Sequence, residues 1–250
     1  MIEVSIIIPT YNSAPTLRNA LKSIFRQTYK NFEVIILDSY SADNTFNIIK
    51  EFRSKKIRVI QISKNKKLSQ VRYVGISKAT GKYIAFLDSD DVWDRRKLKT
   101  QLTLMGNSKF SSTAFNLVKN NKKMIIDNFP KYLNLNDLIY SRPIANSSVI
   151  VKKDLIQKIA KQYQNVDYAE DYLWWLKIMS KLGRTMFINK VLVEIKIKQT
   201  SRTNMNFFRN LKSLFFIYKK ILNFNMFHIT YIFYQLIKKN FKKKYFYYYQ

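Results

Sequence analysis

The chain has 250 residues, no cysteine and a formal net charge of +29. This length suffices for one sizeable domain, or for one domain with an appendage, and a hydrophobic content of 47% argues against wholesale disorder. Disulfides and thiolate metal sites are excluded, so a metal would be held by oxygen or by His228, the one histidine. The positive charge attracts nucleic acid, anionic lipid or phosphorylated ligands.

The first 110 residues alternate between strand-like and helix-like patterns. Val4–Ile8 is a short β-branched run that ends at Pro9, as expected of a buried strand. Further strands are predicted at 32–37, 57–62 and 83–87, and helices at 13–27, 43–53 and 68–79. This alternation predicts an α/β fold with a mostly parallel sheet flanked by helices. Ligands of such sheets bind beyond the carboxyl ends of the strands.

The second part of the chain is less regular. The predicted elements are a hairpin of 113–118 and 123–127, a strand at 147–151, a helix at 168–182 that ends at Gly183, and a closing strand or strand pair at 186–197. From residue 205 onwards the sequence has many lysines and aromatic residues and no acidic residue. This composition predicts a basic, aromatic helical appendage that lies on an anionic membrane surface. The alternative is that its apolar face packs on the preceding domain.

An acidic motif follows the fourth predicted strand. Asp88, Asp90 and Asp91 lie within four positions, with Ser89 between them. Like charges this close repel each other unless a cation offsets them, and carboxylate oxygens suit Mg²⁺ or Mn²⁺. The motif therefore predicts a metal site that binds a diphosphate. The alternative interpretation is a solvated acidic turn or helix cap.

Two other predicted loops lie at the same edge of the sheet. Asp38, after the second strand, could accept hydrogen bonds from a nucleoside, as acidic residues do for ribose hydroxyls. Asp43, in the same loop, is expected to cap the next helix. After the first strand, Tyr11 could form an aromatic wall for the base, although a plain turn is the alternative.

These motifs, taken in order, resemble glycosyltransferase family 2, whose members have the Rossmann-like GT-A fold and usually invert the configuration at the transferred sugar carbon. The resemblance rests on three motifs and covers roughly the first two hundred residues: Pro9-Thr10-Tyr11-Asn12, then Asp38 to Thr45, then Arg72 to Asp91. It implies a nucleotide-sugar donor and a divalent cation, Mn²⁺ or Mg²⁺. The implied donor-binding residues are Pro9, Thr10, Tyr11, Asp38, Arg72, Asp88 and Ser89, and the implied metal ligands are Asp90, Asp88 and Asp91.

The family also carries an acidic pair before an aromatic helix, and Glu170-Asp171 matches that pair. In an inverting transfer one carboxylate removes the proton of the acceptor hydroxyl. The resemblance implies Asp171 as this base, with Glu170 as the alternative. A helix start that favours acidic residues is the structural interpretation.

Three departures from the family pattern are present. Tyr73 replaces a common asparagine, Ser39 replaces an acidic residue or glycine, and the stretch 195–199, where many members have a metal-binding histidine, contains none. Lys198, in that last stretch, could meet the diphosphate as a charge.

We therefore expect residues 1–204 to form the catalytic domain, with a nucleotide-sugar-binding half at 1–105 and an acceptor half at 106–204. Residues 205–250 would be the membrane-associating appendage. The expected reaction transfers a sugar, most simply from a UDP-sugar, to a lipid-linked saccharide during synthesis of lipopolysaccharide, O-antigen or capsule. The amino-terminal sequence lacks a secretory signal pattern, which predicts a cytoplasmic location at the inner face of the cell membrane.

Two other functions compete with this one. A basic nucleic-acid-binding protein would explain the charge, but Asp38 and the acidic motif would repel phosphate in the absence of a metal, so nucleic acid is not expected as a partner. An inactive family member that serves as a membrane scaffold would explain Tyr73 and the missing histidine.

Overall fold

The computed structural model describes residues 2–52, 54–120, 122–167, 169–197 and 215–221, together with 226, 227, 229, 230, 232 and 234. The predictions made for Lys198 and for His228 lie outside these residues, and so does most of the predicted appendage at 205–250.

The first half of the chain contains the predicted alternation. The strands are β1 (Val4–Thr10), β2 (Phe32–Asp38), β3 (Ile57–Gln61) and β4 (Tyr83–Phe86), and the helices between them are α1 (Ala14–Phe25), α2 (Thr45–Glu51) and α3 (Leu68–Lys78). Counted over both ends, the predicted helices exceed the observed ones by three residues for α1, four for α2 and one for α3. Asp43 limits two of them, because its carboxylate accepts the backbone N–H groups of Ala14 and Thr45, each at 3.0 Å.

After β4 the chain continues with β5 (Val92–Trp93) and α4 (Lys97–Met105). The predicted hairpin is present as β6 (Phe110–Lys119) paired with β7 (Lys122–Ile126). The remaining elements are β8 (Tyr132–Leu133), α5 (Leu135–Ser141), a short 3-10 helix (Asn146–Ser148), β9 (Ile150–Lys152), α6 (Lys153–Gln162), α7 (Glu170–Leu182) and β10 (Thr185–Lys196). Residues 147 and 148, predicted as strand, thus belong to the 3-10 helix.

The ten strands form a single sheet with the order β3-β2-β1-β4-β9-β6-β10-β5, in which β7 pairs with β6 and β8 with β10. Strands β1 to β4 are parallel where they pair, and so are β6 and β10. The antiparallel strand β9 lies between β4 and β6. Because β9 is antiparallel to both of its neighbours, β4 and β6 run in the same direction. The acidic motif after β4 lies at the edge where β1 and β2 end, because β4 is parallel to β1.

Close packing fixes the start of β4 against β1. A Cβ atom at Gly81 would lie 2.7 Å from the backbone nitrogen of Ser5, which is closer than atoms can approach. The Ser5 hydroxyl donates a hydrogen bond to Glu33 at 2.6 Å and accepts the Gly81 N–H at 2.9 Å. These contacts set the register of the strands that carry the acidic motif and Asp38.

Helix α7 packs on the sheet through two fully buried tryptophans. The ring of Trp175 lies 5.8 Å from that of Phe86 and 5.3 Å from that of Phe110, and the ring of Trp174 lies 6.3 Å from that of Phe86. Aromatic side chains of this size dominate the energetics of a core. Since Phe86 ends β4, this packing brings the amino end of α7 towards the acidic motif.

The described part of the predicted appendage contacts the core of the preceding domain. Ile217, Tyr218, Ile229 and Ile232 are buried among the residues that pack against α7. The hydroxyl groups of Tyr218 and Tyr172 are 2.9 Å apart. Other apolar side chains of this segment face outwards, and Phe227 is 78% exposed. Within the described residues, no helix has both the length and the hydrophobicity needed to cross a bilayer.

Candidate active site

Asp38 and Thr10 end two neighbouring strands and face each other. They are register partners in the β1/β2 pair, and the Thr10 hydroxyl donates to Asp38 Oδ1 at 3.1 Å. Ser41 donates its backbone N–H to Asp38 Oδ2 at 3.0 Å and its hydroxyl to Oδ1 at 2.5 Å. Asp38 is only 2% exposed. Its carboxylate is therefore held in one orientation at the carboxyl edge of the sheet.

Two tyrosines lie at the surface of these loops. Tyr11 and Tyr40 are both about half exposed. Tyr40 and Asn12 adopt left-handed backbone angles, with φ of 52° and 46°, which are uncommon for residues other than glycine. The Asn12 side chain accepts the N–H of Ala42 at 2.9 Å, so the two loops are joined. Sequence analysis selected Tyr11 and missed Tyr40.

Pro9 has a different position from the other predicted donor-binding residues. It lies inside β1 as the register partner of Leu37. As a proline it has no backbone N–H group to donate to the strand, and its ring fixes the backbone angle φ. Pro9 therefore shapes the path of the backbone that leads to Thr10.

The acidic motif is divided between the surface and the interior. Asp88, Ser89 and Asp90 are partly exposed, whereas Asp91 is only 4% exposed. The Asp91 carboxylate accepts the Ser147 hydroxyl at 2.5 Å and the Lys196 N–H at 3.3 Å. Burial raises the pKa of Asp91 well above its ordinary value, and the charges of Asp88 and Asp90 raise it further. Ser89 lies 2.9 Å from the Ser13 hydroxyl, which joins this motif to the first loop.

The different exposure of Asp88, Asp90 and Asp91 decides which of the three expected metal ligands fit a metal site. In the part of the chain that the structure describes, no three histidine or acidic side chains are grouped as a metal site. Asp91 points into the protein, while Asp88 and Asp90 remain partly exposed. Proteins often bind Mg²⁺ through one or two carboxylates together with substrate phosphates. Asp88 and Asp90 fit such a ligand set, and the buried Asp91 does not fit the predicted role of third ligand.

Arg72 lies between two of the predicted site residues. Its guanidinium is about 95% buried and contacts Asp88 Oδ1 at 2.6 Å on one side and the Glu170 carboxylate on the other. The two carboxylates keep the pKa of Arg72 above its usual range, although burial opposes them. The resemblance implied that Arg72 approaches the phosphates or the ribose of the donor, and the structure shows its terminal nitrogens bound to protein carboxylates.

Glu170 and Asp171 start α7 in different surroundings. Glu170 is 4% exposed and ion-paired with Arg72, and burial raises its pKa to about 7 while Arg72 opposes the shift. Asp171 is partly exposed, and burial raises its pKa as well. The preceding residue, Ala169, is left-handed with φ of 53°, and such strain is often found at functional sites. Of the two carboxylates, Asp171 is the more accessible.

Asn146 and Ser147 contact the acidic motif, and sequence analysis missed both. The Asn146 side-chain amide donates to Asp88 Oδ1 at 3.2 Å, and the Ser147 hydroxyl accepts the Asp88 N–H at 3.1 Å. Nothing in the sequence Ala145-Asn146-Ser147-Ser148 distinguished them from an ordinary strand start.

The family model for Glycosyl transferase family 2 matches residues 5–142, and the chain belongs to this family. The chain is 28% identical over 248 residues to the putative teichuronic acid biosynthesis glycosyltransferase TuaG of Bacillus subtilis, with 96% of this chain and 97% of TuaG covered. It is 36% identical over 180 residues to the UDP-Glc:α-D-GlcNAc-diphosphoundecaprenol β-1,3-glucosyltransferase WfaP of Escherichia coli, with 71% and 70% covered.

Solved structures show the same fold. Residues 1–349 of S. aureus TarS in complex with UDP-GlcNAc superpose with a TM-score of 0.75 at 21% identity, over 96% of this chain and 73% of that one. The mannosyltransferase PcManGT of Pyrobaculum calidifontis, in complex with GDP-Man and Mn²⁺, gives a TM-score of 0.66 at 18% identity, over 89% and 65%. The predicted family and GT-A fold class are confirmed, and the chain is a glycosyltransferase.

Proposed function

We propose that this glycosyltransferase moves a sugar, with inversion, from a UDP-sugar to a lipid-linked saccharide in the synthesis of a surface polysaccharide. One observation carries the proposal. The carboxylates of Asp88 and Glu170, from the two halves of the domain, are joined through Arg72 at the edge where Asp38 also lies. A donor site and an acceptor-side acidic pair are thereby adjacent, as a direct transfer requires.

The donor would bind along the ends of β1, β2 and β4. Asp38, whose orientation is fixed by Thr10 and Ser41, would accept hydrogen bonds from the nucleoside. Tyr11 offers an exposed ring for contact with the base, and Tyr40 offers a second. Ser89 and Asp88 would lie nearest to the diphosphate.

Asp88 and Asp90 would hold a divalent cation, Mn²⁺ or Mg²⁺. Arg72 and Asn146 both donate to Oδ1 of Asp88. Oδ2 would therefore be the atom of Asp88 that contacts the cation. A bound cation would supply charge neutralisation for the diphosphate as it leaves. The Mn²⁺ named with the PcManGT complex supports this choice for a protein of the same fold.

Asp171 would act as the general base. It removes the proton of the acceptor hydroxyl while that oxygen attacks the sugar carbon on the face opposite the leaving diphosphate, which inverts the configuration. A raised pKa brings an aspartate closer to the operating pH, where a general base is most effective. Glu170 forms an ion pair with Arg72, so the role of Glu170 would be to hold Arg72 in place.

The acceptor class and the location follow from relatives and from the appendage. WfaP is named for a diphosphoundecaprenol acceptor, and a lipid-linked acceptor requires the enzyme to work at a membrane surface. Exposed Met226 and Phe227, together with the high positive charge, suit an anionic bilayer at the inner face of the cell membrane. The predicted domain limits at 105 and 204 remain part of this proposal.

Thermal unfolding in the presence of a panel of nucleotide sugars tests the donor. A UDP-sugar with Mn²⁺ should raise the Tm, because a ligand that binds only the native state stabilises it by mass action. The Asp38→Asn variant should lose most of this shift and serves as the control for specific binding. If no nucleotide sugar raises the Tm at millimolar concentration, the chain is an inactive family member and the proposal is wrong.

A further inference from the structure

Ser147 makes three contacts with the segment that carries the acidic motif. Its hydroxyl accepts the Asp88 N–H at 3.1 Å and donates to Asp91 Oδ2 at 2.5 Å. Its carbonyl oxygen accepts the indole N–H of Trp93 at 2.8 Å. The two ends of the motif, and Trp93 two positions beyond it, are thus bonded to one residue from another part of the chain.

Asn146 acts on the carboxylate of Asp88 itself. Its Nδ2 donates to Asp88 Oδ1, which also accepts from Arg72. Two donors from different directions fix the plane of a carboxylate, as partners behind a metal ligand commonly do. The buried Oδ1 atom of Asn146 has no hydrogen-bond partner among the described residues. A buried acceptor without a partner costs folding free energy, so Asn146 is poorly explained as a residue that stabilises the fold.

We propose that Asn146 and Ser147 are positioning residues that hold the Asp88–Asp91 loop in the geometry that binds the donor diphosphate and its cation. This inference rests on the proposed function. Both residues lie on the 3-10 helix that precedes β9. The proposed function gives neither of them a direct contact with the nucleotide sugar. They act through Asp88 and Asp91, so their loss should weaken cation binding more than it weakens the fold.

The test compares three variants of the full chain. Asn146→Ala removes the donor to Asp88, and Ser147→Ala removes the hydroxyl between Asp88 and Asp91. Ser148→Ala is the matched control, because Ser148 is equally buried, lies on the same 3-10 helix and donates only to the Ala145 carbonyl at 2.7 Å. The Kd for Mn²⁺ in the presence of UDP is measured by calorimetry, and the urea midpoint is measured on the same samples.

We expect Asn146→Ala and Ser147→Ala to weaken Mn²⁺ binding about tenfold or more, because removing a residue that orients a metal ligand commonly lowers metal affinity by such a factor. Ser148→Ala should change the Kd by less than about twofold, since its hydroxyl lies outside this network. The urea midpoint of Asn146→Ala should be unchanged or higher, because the variant also removes an unpaired buried acceptor.

Three results would overturn the inference in distinguishable ways. If the wild-type chain binds Mn²⁺ and UDP while Asn146→Ala binds them equally well, the positioning role is wrong and the proposed function stands. A lower urea midpoint for Asn146→Ala, with an unchanged Kd, would make Asn146 a structural residue. If the wild-type chain binds neither UDP nor Mn²⁺ with UDP, the proposed function fails, and the inference fails with it.

Discussion

The two halves of the domain satisfy their buried polar groups differently. Among the described residues of the donor half (2–105), three buried side-chain polar atoms have no described hydrogen-bond partner: Arg72 Nε, Lys97 Nζ and Gln101 Oε1. In the acceptor half such atoms belong to Ser112, Thr113, Asn146, Trp174, Trp175 and Thr185. Asp38 accepts three hydrogen bonds, but the indole nitrogens of Trp174 and Trp175 have none among the described residues. Buried polar groups are nearly always bonded in folded proteins. The acceptor half therefore leaves more of its buried polar side chains without a described hydrogen bond than the donor half does.

The largest expected effect concerns Arg72, which joins the two halves. Arg72→Met should lower the free energy of unfolding by about 3–5 kcal/mol, because it leaves the buried carboxylate of Glu170 and the partly exposed carboxylate of Asp88 without their shared partner. Urea denaturation measures this loss. Arg18→Met is the control, since the pair of Arg18 with Glu51 is exposed and should contribute little. Equal stability of Arg72→Met and wild type would show that the two halves do not depend on this bridge.

The next largest effect is a loss of turnover without a loss of donor binding, which would separate the role of the acceptor half from that of the donor half. Asp171→Asn keeps the shape and removes the basicity, so kcat should fall about a hundredfold or more, while the Kd of the donor should hardly change. Turnover and donor calorimetry measure the two quantities. If Glu170→Gln lowers kcat and Asp171→Asn does not, the assignment of the base is reversed.

The pH dependence of the same reaction follows from the sign of the Asp171 shift. Burial raises the pKa of Asp171, and only the deprotonated carboxylate accepts a proton. The kcat should therefore fall on acidification at a pH above the ordinary aspartate range of about 4. A profile that stays flat down to pH 4 in the wild type would argue against Asp171 as the base.

A smaller effect tests whether the appendage belongs to the acceptor half. Tyr172→Phe and Tyr218→Phe each remove one side of a buried hydroxyl pair, and each should cost about 0.5–1.5 kcal/mol. The double variant should cost less than the sum, because the two changes remove the same contact. Strictly additive losses in urea denaturation would mean that residue 218 does not pack against α7 in solution.

The smallest effect concerns the strained start of α7. Ala169→Gly relieves a left-handed φ of 53° and should raise the free energy of unfolding by up to about 1 kcal/mol. Ala160→Gly, inside α6, should lower it, because glycine disfavours a helix interior. A destabilised Ala169→Gly variant would show that the left-handed geometry carries no strain.

The comparison also explains what the sequence could predict. Strand–helix alternation, β-branched runs and the acidic motif are local patterns, so β1 to β4 and the position of Asp38 and Asp88 were predicted with small errors at the ends. The Arg72–Glu170 bridge joins residues 98 positions apart, and no local pattern encodes such a contact. The burial of Asp91 was likewise unpredictable, because it depends on Ser147 and on the Lys196 backbone.

Helix α6 shows a different limit. Lys153–Gln162 has a buried face of Leu155, Ile156, Ile159 and Ala160 at the spacing of an amphipathic helix, and the sequence analysis did not predict it. The described burial of Ile217 and Tyr218 supports the alternative that the appendage packs on the domain, while Phe227 of the same segment is exposed.

The central claim is a transfer from a UDP-sugar to a lipid-linked saccharide that requires Asp171. It is tested most directly by mass spectrometry of a diphosphoundecaprenol-linked sugar after incubation with a panel of UDP-sugars, Mn²⁺ and the full chain. The account predicts that the acceptor gains the mass of one sugar with wild type and with Ser148→Ala, and that Asp171→Asn loses nearly all of this product. Equal product from Asp171→Asn, or no product with any UDP-sugar, would contradict it.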